Sequence, residues 1–204
     1  MASAKKADCM SDKLVGYFGF GSLVNKHTLR TSYVDIMPAS LKGYSRHWQA
    51  RSTAIFDNHI SLMSIHPDEA CTIKGMIVFD LLENLPLVDE REEGYSRHKL
   101  EHAQLEVSSS VELPEEVYVY IADEVEGSSD DGALLQSYLD AVMQGFRNEY
   151  GAQGVSHFVD TTKGFNRPIN LDRNAPLYPR DVTLSEDEVS LFDMELKRAG
   201  VLGI

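Results

Sequence analysis

The stretch from Leu135 to Gly151 constrains the fold more than any other. Leu135, Tyr138, Leu139, Val142, Met143 and Phe146 recur at three- and four-residue spacing, the period of one helical face, until Gly151 stops the pattern. Such a helix must bury its apolar stripe against the rest of the fold, and Tyr138 lies on the buried side. What precedes it reads mostly as strands. Leu14 to Phe20 is a short apolar, aromatic run ending at Gly21-Ser22, the signature of a buried first strand. Ala39 to Ser52, His59 to His66 and Ile73 to Leu81 follow, separated by the turn-forming pairs Asp57-Asn58 and Pro67-Asp68. Arg97 to Val107 and Val117 to Ala122 read as returning strands of a largely antiparallel meander. In the second of these, Val117, Val119 and Ile121 alternate with Tyr118 and Tyr120.

Short helices are expected between and after the strands. Asn25 is placed to cap one through Arg30, and Asn84 to cap another over Leu85 to Glu93, with Pro86 in its first turn and Gly94 as its stop. Glu124 to Gly132 is a polar linker in which Asp130 or Asp131 can cap the long helix. Ser185-Glu186-Asp187-Glu188 has capping-box spacing, Val189, Phe192 and Leu196 share a face, and Gly200 closes a final amphipathic helix. The expected organisation is a disordered leader over 1–13, one domain over 14–184 and a helical extension over 185–204.

Charge and cysteine usage narrow the function. A net charge of −13 without a run of Lys or Arg opposes nucleic-acid binding. No apolar stretch approaches the ~18 residues a membrane span needs, and the leader supplies no apolar core for a signal peptide. Cys9 and Cys71 are too few for a disulfide framework, so a reducing, cytoplasmic setting is expected.

Two features carry chemistry. At ~100° per residue, Glu92 falls beside Leu85 and Val88 on the apolar stripe of its helix, while Glu90 and Glu93 turn away. Desolvation raises the pKa of an inward carboxyl toward the range useful for acid and base catalysis, although structural ion-pair networks perturb acids as well. Arg91 is such a neighbour, but adjacent helical positions diverge. The second feature is Phe18-Gly19-Phe20-Gly21-Ser22-Leu23, where alternate glycines at a strand end permit close backbone approach and can aim several N–H groups at an anion. The same glycines also suit an ordinary turn. Nucleotide loops are excluded by spacing, since Lys26 lies in Asn25-Lys26-His27 and Val24 replaces the third small residue of a dinucleotide fingerprint.

Other constellations are weaker. His98 and His102 have metal-pair spacing only on a helix, and their surroundings read as strand without a third ligand, so no metal is expected. Ser22 lacks the final glycine of a nucleophile elbow and is read as a binding residue. Tyr17, Phe18 and Phe20 suit a core.

Taken together, the motifs resemble the gamma-glutamylcyclotransferase-like superfamily, with its ChaC and AIG2-like branches. Phe18 to Leu23 is similar to that family's Phe-Gly-Tyr-Gly-Ser-Leu motif, and Val88 to Tyr95 to its Leu-Asp-x-x-Glu or Arg-Glu-x-Gly-Tyr segment, both forms placing the acid at Glu92. Gly43 to Trp48 resembles its Gly-x-x-Arg-x-Trp strand, and Tyr138-Leu139 with Gly145-Phe146 the helix bearing a substrate-facing Tyr. The order holds from about Leu14 to Tyr150. The resemblance implies an α+β fold, a small mixed β-barrel with flanking helices, and cyclisation of a γ-glutamyl group to 5-oxoproline with release of an amine. It implies Glu92 as acid and base, and Phe18, Gly19, Phe20, Gly21, Ser22, Leu23, Tyr95 and Tyr138 around a small γ-glutamyl substrate, with no cofactor and no metal. Arg51 is a further candidate for a substrate carboxylate, or for a surface ion pair. Phe20 departs from the family's Tyr and removes its hydroxyl. The rivals are a non-catalytic binding or regulatory module on the same fold and a related acyl-transfer enzyme.

Overall fold

Val15, Tyr17 and Phe18 are each no more than 1% exposed, so the first strand, β1 (Leu14–Gly19), is buried on both faces, as a continuous apolar run requires. In this computed structural model, which describes residues 13–29, 32–53, 56–123 and 132–201, β1 sits at the centre of the sheet. The later elements are β2 (Asp35–Thr53), β3 (Phe56–Leu81), α1 (Leu85–Arg91), β4 (Tyr95–Leu100), β5 (Leu105–Glu106), β6 (Val117–Ala122), β7 (Leu134–Leu135), α2 (Gln136–Asp160), β8 (Thr162–Lys163), β9 (Ile169–Asn170) and α3 (Glu186–Arg198). Among the described residues the main sheet runs β4-β6-β1-β3-β2-β5, with β8 beside β2, and β7 pairs with β9. The sheet curls into a half-barrel, giving the expected α+β class with its C-terminal helix.

The order is not a meander. β1 pairs antiparallel with β3 and parallel with β6, which puts strands distant in sequence side by side. His59–His66 and Ile73–Leu81 belong to one strand, because Pro67-Asp68 opens a bulge and not a turn. Asp68 to Cys71 bow out opposite the single residue Gly43, whose φ of 81° suits glycine. Asp57-Asn58 likewise lies within β3, and Arg97 to Val107 breaks into β4, a 3-10 turn over His102–Gln104 and β5. Asn25 accepts a cap hydrogen bond from His27 N–H, but over a 3-10 turn at Lys26–Thr28. Arg30, Asp130, Asp131 and residues 1–12 lie outside the described residues.

Helix α2 covers the sheet as its stripe demands, with Leu139, Val142, Met143 and Phe146 fully buried. Gly145 lets it approach so closely that a Cβ there would stand 2.6 Å from Asn25 N. Asn25 Nδ2 in turn donates to Ala141 O at 2.8 Å. Gly151 ends the first segment at φ 68°, but a second helical segment continues to Asp160. The capping box of α3 forms as read, and Phe192 and Leu196 are fully buried. No described helix is long and apolar enough to cross a membrane.

A guanidinium lies within this core. Arg46 is 0% exposed; its Nε donates to Phe20 O at 2.8 Å, Nη1 to Thr161 Oγ1 at 2.8 Å and Nη2 to Lys74 O. The Phe146 and Phe158 rings flank it, 4.9 and 5.6 Å from its central carbon. One side chain therefore ties β2 to β3, to the end of α2 and to the loop after β1. Arg46→Met should destabilise the fold by about 3 kcal/mol or more, since three buried acceptors lose their donors. Urea unfolding of the two proteins measures this.

Candidate active site

The loop after β1 is held open by its neighbours. Arg46 fixes the Phe20 carbonyl, and Val24 N–H and Asn25 N–H donate to Gly21 O and Ser22 O. Among the described residues, the Gly21, Ser22 and Leu23 amides donate to no backbone carbonyl. Close approach explains the glycines: a Cβ on Gly19 would strike Leu23 Cβ, and one on Gly21 would lie 2.8 Å from the Tyr138 hydroxyl. That hydroxyl receives a hydrogen bond from Ser22 N–H.

Facing the loop is Glu92. Helix α1 ends at Arg91, short of the expected end at Glu93, and Glu92 is its C-cap at φ −94°, ψ 35°. Its N–H still donates to Val88 O, while Gly94, at φ 84°, and a bond from Tyr95 N–H to Glu92 O turn the chain into β4. Asn84 does not cap α1; its Nδ2 donates to Asp80 Oδ1 at 2.7 Å. Leaving the helix also permits the pairing that helical geometry disfavours, with Arg91 Nε donating to Glu92 Oε1 at 3.0 Å. Arg91 Nη2 is buried without a hydrogen-bond partner.

Loop and acid meet in one small recess open to solvent. Phe18, Phe20, Gly21, Ser22, Leu23, Glu92, Tyr95 and Tyr138 all line it. Gly19 lies behind the wall, packed on Leu23. The Arg51 side chain lies outside the described residues. Met63 and Tyr120 complete the lining and have no counterpart in the sequence reading. Tyr120 alternates with valines along β6; it is 3% exposed, and its hydroxyl donates to Asp89 Oδ1 of α1 at 2.7 Å. His98 and His102 are exposed, and no described cluster of three ligands could hold a metal.

Electrostatics act differently on Glu92 and Tyr138, which both face the recess. Burial pushes the Glu92 carboxyl above the usual carboxylate range, opposed by the charges of Arg91 and then Arg180. Burial and the adjoining Tyr95, Tyr178 and Glu92 push the Tyr138 phenol well up, so it stays neutral with a proton to donate. Its ring is clamped edge-on by Trp48, at 5.9 Å, and Tyr178, at 5.0 Å. Tyr95 spends its hydroxyl on Met63 O at 2.8 Å. The arrangement offers a proton-transferring carboxyl opposite a cluster of N–H and O–H donors.

No family model matches the chain, and no curated protein matches it. Among solved structures, a gamma-glutamyl cyclotransferase superposes with a TM-score of 0.58 at 14% identity, covering 89% of this chain and 99% of its own. The fold is that of a gamma-glutamyl cyclotransferase. A human protein described as uncharacterized has it too, at a TM-score of 0.55 and 14% identity over 89% of this chain and 99% of its own. YkqA from Bacillus subtilis matches at 0.53 and 16% over 71% of this chain and 52% of its own length. In this cyclotransferase-fold chain the recess opens where the loop after β1 faces the end of α1.

Two predictions follow from the geometry. A carboxyl with a raised folded-state pKa costs nothing while protonated and costs stability once pH rises past the ordinary Glu range toward the raised value. Glu92→Gln should therefore unfold at higher urea than the parent at about pH 8 and at the same urea near about pH 4. Gly21→Ala should lose about 1–3 kcal/mol from the clash with the Tyr138 oxygen, and Tyr138→Phe should restore most of it, as read by thermal unfolding.

Proposed function

We propose that the protein is a γ-glutamylcyclotransferase, converting a γ-glutamyl compound to 5-oxoproline and a free amine. The observation that carries this reading is the recess shared by the Glu92 carboxyl and the glycine loop, where the Gly21 and Leu23 amides donate to no backbone carbonyl and Ser22 N–H reaches the Tyr138 hydroxyl. The α-amine of the substrate arrives protonated and cannot attack; Glu92 as carboxylate removes one proton. The amine nitrogen then adds to the γ-carbonyl carbon of the same molecule, and the carbonyl oxygen takes up negative charge. The Gly21 to Leu23 amides and the neutral Tyr138 hydroxyl supply donors for that oxygen and for the α-carboxylate. Glu92 passes its proton to the departing nitrogen as the amide C–N bond breaks and the carbonyl reforms. The carboxylate so regenerated takes the second proton from the ring nitrogen, which becomes the lactam N–H, and that proton leaves with the amine as ammonium. Atoms balance without added water, since the substrate divides into the two products.

Confinement does much of the remaining work. The small recess favours a curled γ-glutamyl chain, and orientation of an internal nucleophile is worth ~7 kcal/mol or more. Phe18, Phe20 and Met63 supply an apolar wall for the methylenes. Burial raises the Glu92 carboxyl, which suits it to give a proton as well as take one, while Arg91 favours the carboxylate that the first step needs. The Arg91-Glu92-x-Gly94-Tyr95 segment supports a ChaC-like relationship, and residues 14–184 are taken as the catalytic unit. The cysteine content supports action in a reducing cytoplasm.

The test incubates pure protein with glutathione, γ-glutamyl amino acids and γ-glutamylamines and measures 5-oxoproline by mass spectrometry. Turnover should fall as pH drops through the raised Glu92 pKa, and Glu92→Gln should lower it about 10²- to 10⁴-fold while leaving substrate binding within a few-fold. Full turnover in the Gln variant would remove Glu92 from the chemistry. Binding with no product from any substrate would favour a non-catalytic module.

A further inference from the structure

Helix α1 carries Glu92 at its end with little of its own to hold it there. It spans seven residues, its start has no side-chain cap, and it buries two apolar side chains, Leu85 and Val88. A helix this short is not stable alone and takes its place from its contacts. Among the described residues, Asp89 is the α1 side chain that hydrogen-bonds to the sheet. Tyr120 of β6 donates its hydroxyl to Asp89 Oδ1 at 2.7 Å, and Arg97 of β4, opposite Tyr120 in the strand register, donates from Nη1 to Asp89 Oδ2 at 3.1 Å. Arg97 also bonds the Tyr120 hydroxyl, and its guanidinium carbon lies 5.0 Å from the centre of the Tyr118 ring. Asp89 and Arg97 are exposed, so their ion pair adds little. The bond from Tyr120 is different, because that side chain is buried and its hydroxyl would lose its acceptor with Asp89. Tyr120 and Glu92 both line the recess.

The geometry points to Asp89 as a positioning residue for the reaction: by accepting the Tyr120 hydroxyl it pins the end of α1 to the recess wall and sets where the Glu92 carboxyl stands. The inference rests on the cyclotransferase reading and adds a residue that acts through Glu92. Glu92 N–H still donates to Val88 O, so the backbone that carries the carboxyl moves with the helix end. That carboxyl must reach two nitrogens of one substrate in turn, and a displacement of about 1 Å is enough to cost such a transfer about 100-fold. Asp89 touches no reacting atom in this scheme. Its hydrogen bond is spent on the wall, and the hydroxyl of Tyr120 is thereby turned to the helix, leaving its ring to line the recess.

The test measures 5-oxoproline formation from the γ-glutamyl compound that the parent turns over best. Asp89→Ala and Tyr120→Phe should each lower kcat by about 10- to 100-fold with KM within about 3-fold, and the double variant should lose no more than the worse single one, because both remove one bond. Asp89→Asn keeps a carbonyl oxygen for Tyr120 and should retain most of the activity. Tyr120→Phe preserves shape, so it tests the bond even if Asp89→Ala loosens the fold. Losses that multiply in the double variant would overturn the proposal, as would an Asn variant as impaired as the Ala one, which would assign Asp89 to its charge. A rise in KM with kcat unchanged in Tyr120→Phe would make that hydroxyl a substrate contact and overturn it too. A carbon-13 NMR titration of the Glu92 carboxyl gives a reading without turnover: its midpoint should move in Asp89→Ala and Tyr120→Phe and stay in Asp89→Asn, and a midpoint unmoved in all three would overturn the proposal. If no γ-glutamyl compound yields 5-oxoproline, the cyclotransferase reading falls, and that titration still decides whether Asp89 holds Glu92 in place.

Discussion

The structure depends on a cation where none is expected. Arg46 sits in the core with its three bonding directions filled by Phe20 O, Thr161 Oγ1 and Lys74 O and its faces against Phe146 and Phe158. Burial pulls its pKa down to about 9, which still leaves it charged at neutral pH. Desolvating a guanidinium is costly, and it is tolerable here because carbonyl oxygens and ring faces replace the lost water. What that cost secures is geometry. The Phe20 carbonyl is drawn inward, and the amides that follow it are left for other acceptors.

The opposite wall rests on a helix that stops early. Because Glu92 caps α1 and does not continue it, its carboxylate is both aimed at the recess and within reach of Arg91. Burial and the two guanidiniums act on it in opposite senses, and burial prevails. Tyr138, held by Trp48 and Tyr178, stays protonated for the same reason that Glu92 is perturbed: burial disfavours the charged form of each. Tyr178 packs behind Tyr138, so the segment before α3 helps to hold that wall.

Much of the site was legible in the chain because it is local. Glycines at alternate positions, an acid two residues before Gly94, a tyrosine on a helical stripe and a capping box before α3 are patterns set by neighbours a few residues apart. Boundaries were less secure: Asn84 bonds Asp80 and leaves α1 uncapped, and Pro67-Asp68 makes a bulge because β2 continues alongside to receive the strand again. The burial of Tyr120 was not legible, because period-two alternation separates two faces of a strand without saying whether either is solvated. Here α1 covers the second face.

By itself, the sequence determined which residues have the chemistry and which short elements carry them, since dihedral preferences and helical periodicity act over a few residues. The tertiary structure alone decided the strand order, the burial of Arg46, and the meeting of the glycine loop with Glu92, which lies far along the chain from it. Those depend on pairing and desolvation between distant segments, whose free energies are set only once the sheet has closed around α2.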